Sequence, residues 1–536
     1  MDECDPGASP TDPWNLIDEP RPGGTEMIEG VLDARHRVGD MMETLPVSLE
    51  EPADRALWSQ WLEELDERTS DRDHGLLDSL VRDDLPIERS DPVTIQVAGD
   101  GSVEILHRDR HMVEIDEFHQ AEAIAPGGVC HAIAGTIEGR RSHLQRSVIT
   151  GIARTPIGRY NGGLAPLRAV DLGGAAIAAA VDRAGADPSA IDEVMFGHVL
   201  QAGEGQITAR QAAVSGGLPM TVPSVTINKV CLSGMSAIGL ADRSIRLGES
   251  KFVIAGGMES MSNAPYLIRD LRWGARIGNT EAVDVMQHDG LFCTFDQCTM
   301  GEQSDHKNER LGISRHEQDE WSARSHERAA AARDGAFQRE IVPVEVPQRR
   351  GEPTTIATDE GIRESSTVES LGALDPAFVS TGTITAGNAS QISDGAAAVM
   401  VADREAAWAS GAPVLAEILA YGQIGGIDAT LHERPAEALL VALKNAGLSP
   451  GDLDLVEINE AFAAVSLWSA RMLDLDGEKV NVHGGAVALG HPLGATGARL
   501  VVSLVNALVE RGGGIGGATL CGGGGQGDAI IVKVGD

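Results

Sequence analysis

The chain has 536 residues, 42% apolar and 23% charged, with 64 glycines and only 3% aromatics. That composition suits a soluble α/β protein with many tight turns and argues against a coiled coil or a disordered chain. A formal charge of −37 repels phosphate backbones and anionic lipid, so neither nucleic acid nor membrane is expected as a partner.

The charge is uneven. Residues 1–145 carry 33 acidic and 12 basic side chains, a net of −21 against −16 for the remainder, and the first lysine is Lys229. Two regions of different character are expected, with 1–145 an acidic extension whose role the residues do not reveal; a fused accessory domain, a partner-docking segment and an incorrectly chosen start site all fit. Residues 1–45 are rich in Pro, Gly and acid and read as loop or tail. Pro52 to Glu67 predicts an amphipathic helix, with Leu57, Trp61 and Leu65 four apart. Val93 to Ile105 predicts a hairpin about a GDG turn. Ala123 to Gln145 reads as a linker. Six sparse cysteines without a CxxC (Cys4, Cys130, Cys231, Cys293, Cys298 and Cys521) predict reduced thiols and a cytoplasmic setting. The acidic N-terminal stretch lacks the apolar core of a secretion signal, and no uncharged run reads as a membrane span.

From Arg146 onward strands and helices alternate. Ser147–Ala153 predicts a strand, Asp171–Arg183 an Ala-rich buried helix, and Val194–Leu200 a second strand, the pattern of a mainly parallel sheet covered by helices. A weak repeat is visible: Ala184–Gly197 and Ala446–Asn459 share an AG, a Pro three residues later, an aliphatic, then Asp and Val. The helix-like runs Cys231–Leu247 and Gly494–Arg511 echo each other too, each ending before a strand that closes in glycines. Two copies of one α/β unit would bring corresponding loops to a shared centre. Between them lies a polar insertion, about Met261 to Ser393.

Reactive residues sit in Gly-flanked loops. Cys231 lies in INKVCLSGMSA, between a strand-like run (Val225–Val230) and a small-residue helix; backbone N–H groups there would favour a thiolate, although a buried inert cysteine also fits. His491 lies in the glycine-rich VALGHPLGATGAR, implying close approach of another backbone or a ligand. Cys521 ends an apolar strand and opens onto CGGGGQG, whose unhindered N–H groups could meet an anion. Asn459 follows a strand (Leu455–Ile458) as a helix cap or as the holder of a water or of the histidine. Thr385–Val399 is a plain loop or a ligand cradle. GGGIGG (Gly512–Gly517) follows a helix and so lacks the strand–loop–helix setting of a dinucleotide site.

Taken in order, VCLSGMSA, GGMESMS, TAGNASQISDGAAA, NEAFA, GGAVALGHPLGATGAR and CGGGGQG resemble the thiolase family from about residue 146 to the end. The resemblance implies two similar βαβαβαββ halves (146–413 and 414–536) stacked in five αβαβα layers, with a loop domain at about 261–392 inserted in the first. It implies acyl transfer through a cysteine thioester: Cys231 as nucleophile, His491 as its base, Cys521 as acid/base, Asn459 with His491 holding a water, and the N–H groups of Cys231 and Gly523 as oxyanion donors. Leu291, Met300, Arg363, Ser370, Phe378 and Ser390 would line coenzyme A, and Met300 and Phe462 the acyl group. Coenzyme A is then substrate and product; no cofactor and no metal is implied, and a homodimer or homotetramer is. His483 and Thr299 stand where Asn and His are common. The expected activity is acetyl-CoA C-acetyltransfer, with a degradative 3-ketoacyl-CoA thiolase or a non-catalytic thiolase-like scaffold as alternatives.

Overall fold

The structure, a computed structural model, describes residues 93–97, 103–107 and 146–535. The tail 1–45, the helix read over Pro52–Glu67 and the linker at 123–145 lie outside the described residues. The hairpin forms where alternation places it: β1 (Val93–Val97) pairs antiparallel with β2 (Val103–His107), from Val93↔His107 to Val97↔Val103, so the second strand runs two residues past Ile105. It belongs to a compact unit separate from the rest of the described chain.

The larger unit begins with β3 (Ser147–Arg154), α1 (Ala169–Ala184), β4 (Glu193–Gly197), α2 (Thr208–Ser215), β5 (Ser224–Ile227), α3 (Ser233–Leu247) and β6 (Phe252–Ser260). The insertion follows, carrying α4 (Met300–Leu311) and α5 (Arg315–Ala332), and β7 (Ser393–Asp403) closes the half. The second half holds β8 (Ala416–Gly425), α6 (Arg434–Ala446), β9 (Leu455–Ile458), α7 (Ala463–Met472), α8 (Leu493–Arg511), β10 (Gly514–Gly522) and β11 (Gln526–Val534).

The sheet shows the duplication. Its path is β9-β10-β11-β8-β3-β7-β6-β4-β5. In the first half the strands run first, fifth, fourth, second, third in chain order. In the second half β8, β11, β10 and β9 repeat the first four places, and a bridge from Val456 to Val480 stands at the third. The halves join edge to edge where Ala416 and Glu417 pair with Ile149 and Val148. The sheet is mixed rather than mainly parallel: β7 is antiparallel to β3 and β6, and β11 to β8 and β10. The Gly523–Gly525 connection between β10 and β11 explains part of this, since only antiparallel strands can be joined by so short a turn.

Strand alternation sorts the layers. Ala397, Val399 and Val401 face a core shared with α3 and α8, whereas Ala396, Ala398 and Met400 face α1. In the second half Ile530 and Val532 face α3 and α8, while Ala529 and Ile531 face α6. The result is helix, sheet, helix pair, sheet, helix. Helix α8 is long and apolar enough to cross a membrane, but it is the central layer here, buried continuously from Leu493 to Leu508. Its close approach rests on missing side chains: Gly494 O lies 1.9 Å from where a Cβ on Gly257 would stand, and 2.7 and 2.8 Å from those of Gly197 and Gly234.

The expected strand Val194–Leu200 stops at Gly197. Beyond it, the N–H groups of Val199 and Leu200 donate to the buried Glu259 carboxylate (3.2 and 3.1 Å), which also accepts from Gly494 N–H at 2.9 Å. A side chain therefore replaces the neighbouring strand as acceptor.

Candidate active site

The inner helices α3 and α8 begin at the same end of the molecule, and the loops before them carry Cys231 and His491. Cys231 lies two residues before α3 rather than on its first turn. The turn is tightly held. Val230 has φ +49°, a left-handed conformation that for a β-branched residue costs about 1–3 kcal/mol. Lys229 N–H donates to Ser233 Oγ (2.8 Å), Ser233 Oγ donates to Val230 O (2.6 Å), and Val230 N–H donates to Asn228 Oδ1 (3.1 Å). The sequence signal was a strand running to Val230; the chain instead leaves β5 at Ile227 and coils into this elbow.

Burial pushes the Cys231 thiol up to about 12, against the N–H groups of Gly523 and of Cys231 itself, which point at the sulfur and favour the thiolate. Burial likewise raises Cys521, with the nearby Cys231 adding to the effect, so the two sulfurs are electrostatic neighbours. Cys521 ends β10 opposite Gly527, next to the glycine turn. Both thiols rest protonated, and a base is needed to activate either.

His491 is a buried imidazole in the turn before α8. Burial, then the charge of Arg499, holds its pKa down to about 3. Its backbone N–H donates to Gln391 O at 3.0 Å. Nδ1 lies 2.7 Å from Thr496 Oγ1, and that hydroxyl is 2.9 Å from Pro492 O, which can only accept. The Thr496 proton is thus committed to Pro492, so the partners assign the imidazole proton to Nδ1 and leave Nε2 as the acceptor. Thr496 is a residue the sequence reading missed; its only signal was a hydroxyl one helical turn after Pro492.

Asn459 is fully buried, its amide nitrogen 3.5 Å from His491 Nε2, and its Oδ1 has no partner among the described residues. It is not a helix cap. Its N–H donates to Thr519 O (3.1 Å), and residues 461–463 pair with the TAGNAS loop: Ser390 N–H donates to Ala461 O (3.1 Å) and Ala463 N–H to Asn388 O (2.9 Å), so α7 starts only at Ala463. The neighbouring Glu460 accepts from Trp321 Nε1, Ser325 Oγ, Asn481 Nδ2 and Val487 N–H (2.7–3.0 Å), locking this segment to α5 and to the loop before His491.

A cavity of about 200 Å³ is lined by Cys231, His491, Cys521 and Gly523 together. Its apolar walls include Leu291, Met300, Phe378 and Phe462, and Ala389, Ser390 and Ile392 bring the 385–392 loop to it, while residues 393–399 belong to β7. Phe378 and Phe462 meet edge to face at 6.1 Å, and Thr299, which caps α4, also lines the wall. Arg363 and Ser370 are exposed and do not line this cavity. Ser370 Oγ donates to Thr367 O (2.9 Å) in a short capped helix. His483 lies 3.3 Å from Glu510 and packs against Phe337.

A strained elbow bearing a thiol, a neutral imidazole with an acceptor nitrogen, a second thiol and two converging N–H groups can carry nucleophilic acyl chemistry. Comparisons with known proteins agree. The family model described as Thiolase, N-terminal domain matches residues 147–405, and that described as Thiolase, C-terminal domain matches 412–534. A probable acetyl-CoA acetyltransferase of Mycobacterium leprae (strain TN) is 51% identical over 388 residues, 72% of this chain and 99% of the relative. A probable acetyl-CoA acyltransferase of Staphylococcus aureus (strain MRSA252) is 46% identical over 394 residues, 73% of this chain and 99% of the relative. The crystal structure of the Bacillus anthracis acetyl-CoA acetyltransferase matches with a TM-score of 0.71 and 41% identity, covering 73% of this chain and 99% of that one. The chain belongs to the thiolase family and is an acyltransferase.

Proposed function

We propose that the enzyme is an acetyl-CoA C-acetyltransferase, joining two acetyl-CoA molecules reversibly into acetoacetyl-CoA and free coenzyme A. The observation that carries this reading is the convergence of Cys231, His491 and Cys521 on one cavity. His491 Nε2 takes the Cys231 proton as the sulfur adds to the thioester carbonyl. The oxyanion meets the N–H groups of Cys231 and Gly523, each such donor lowering the barrier by about 3–4 kcal/mol. Coenzyme A leaves as the thiol, taking that proton, and Cys231 keeps the acetyl group. Cys521, once it has passed its own proton to the now neutral His491, then removes the α-proton of a second acetyl-CoA. The enolate carbon attacks the acyl carbonyl, and collapse releases acetoacetyl-CoA and the Cys231 sulfur, which takes the proton held by His491. A water held by Asn459 and His491 would donate to the enolate oxygen; the unpartnered Asn459 Oδ1 beside the imidazole supports this role.

Leu291, Met300, Phe378 and Ser390 would hold the pantetheine, and the exposed Arg363 and Ser370 the nucleotide end. Met300 supports a short acyl group, since its sulfur stands 3.4 Å from the Cβ position of Gly523. A degradative 3-ketoacyl-CoA thiolase is the second reading, kept because two relatives bear the broader acyltransferase name. Steady-state thiolysis across a chain-length series decides. Acetoacetyl-CoA should have the highest kcat/KM; strong preference for a longer 3-ketoacyl-CoA would overturn the short-chain assignment.

A further inference from the structure

Behind the Cys231 elbow a polar cluster joins the two halves of the chain. Lys229 Nζ lies 2.7 Å from Asp528 Oδ1 and 3.3 Å from Gln423 Oε1. Gln423 and Asp528 are register partners on β8 and β11, so the second half presents a two-pronged acceptor to this ammonium. The other carboxylate oxygen, Asp528 Oδ2, accepts from Ser236 Oγ at 2.6 Å. Lys229 precedes Cys231 by two residues and Ser236 follows it by five. One carboxylate thus grips the chain on both sides of the nucleophile.

Asp528 stands opposite Leu520 in the β10–β11 pair, and its neighbour Gly527 stands opposite Cys521. The same carboxylate is therefore fixed to the strand that carries the second thiol. It is fully buried, and a buried carboxylate without partners is strongly disfavoured, so this tie persists in the folded protein. Neither Lys229 nor Asp528 lines the cavity shared by the two thiols and His491.

We propose that Lys229 and Asp528 are positioning residues that set the Cys231 elbow of the first half against the Cys521 strand of the second. The proposal rests on the thiolase reading above: chemistry shared between two sulfurs requires their separation to be fixed, and a misplacement of about 1 Å can cost about 100-fold in rate. The elbow needs such an anchor, because Val230 is held at positive φ between Lys229 and Cys231.

The test compares Lys229→Met, Asp528→Asn and Lys229→Arg in the full-length enzyme. Three quantities are measured: acetoacetyl-CoA thiolysis, the iodoacetamide alkylation rate at Cys231 by peptide mass spectrometry, and the melting temperature. Lys229→Met and Asp528→Asn should lose about 10- to 100-fold in kcat with KM within about threefold. Alkylation at Cys231 should slow about fivefold or more as the Gly523 N–H loses its aim at the sulfur. Lys229→Arg keeps a cation on Asp528 and should recover to within about threefold of wild type. Should Asp528→Asn fail to fold, the two variants at the partly exposed Lys229 decide. A kcat and alkylation rate within twofold of wild type in Lys229→Met, or a lowered melting temperature alone, would overturn the proposal. Slowed alkylation in an enzyme whose wild type shows no thiolysis would support the positioning role and sink the thiolase reaction instead.

Discussion

Replacing Thr496 by valine isolates the hydrogen bond that sets His491. Valine keeps the shape of threonine and removes the hydroxyl that lies 2.7 Å from Nδ1 and 2.9 Å from Pro492 O. Thr496 is fully buried, so no bulk water replaces it. The Nδ1–H group then loses its acceptor, at a cost of about 1–3 kcal/mol. The imidazole escapes that cost by moving its proton to Nε2, but this tautomer has no lone pair to take the Cys231 proton. Either outcome weakens the base by about the same amount, which at about 1.4 kcal/mol per decade is about 5- to 150-fold in rate. Thr496 does not line the cavity, so the loss should fall on kcat, with KM within about threefold. The assay is single-turnover acylation of Cys231 by acetoacetyl-CoA, followed by stopped flow, with thermal melts as the folding control. Thr496→Ser retains the hydroxyl and should recover most of the rate. Acylation of folded Thr496→Val within twofold of wild type would refute the tautomer assignment.

The two thiols should separate by half-reaction. Cys231→Ser should form no acyl-enzyme, and stable label from acetyl-CoA on that variant would contradict its role; Cys521→Ala should still acylate at Cys231 yet fail to condense, and normal condensation would remove Cys521 from the mechanism. Acid should destabilise the fold. Burial holds His326 down to about 4 and both His432 and His491 down to about 3, so the native state binds fewer protons than the unfolded chain. Their contribution is intact above the unfolded histidine value near 6.5 and is lost as pH falls from there toward 4 and then 3. Each group removes about 1.4 kcal/mol per pH unit across its window. Urea melts at pH 7.5 and pH 5 check this, and equal midpoints would contradict it. Gly257→Ala should lower the melting temperature and activity together, because its Cβ would lie 1.9 Å from Gly494 O at the start of α8 and overpacking of this kind costs about 1–3 kcal/mol or more. An unchanged melt would mean that the two elements are not so tightly apposed.

The amino-acid sequence by itself determined the alternation of strands and helices from Ser147 onward, the doubled α/β unit, and the three Gly-flanked loops holding Cys231, His491 and Cys521. Periodicity reports which faces are buried, and glycines report where backbones must approach closely; both are local signals that survive without coordinates. The tertiary structure alone decided where polar groups find partners across the chain. Strand β4 ends at Gly197 because the next amides reach Glu259, about 60 residues away. Asn459 is drawn off α7 because its N–H reaches Thr519 O on β10 and residues 461–463 pair with the Asn388–Ser390 segment. Lys229 finds Asp528 across 299 residues, a pairing no spacing rule could disclose. Hydrogen bonds and ion pairs in a buried site depend on angles and distances between elements, and these are set only when the two halves close on their shared pair of helices.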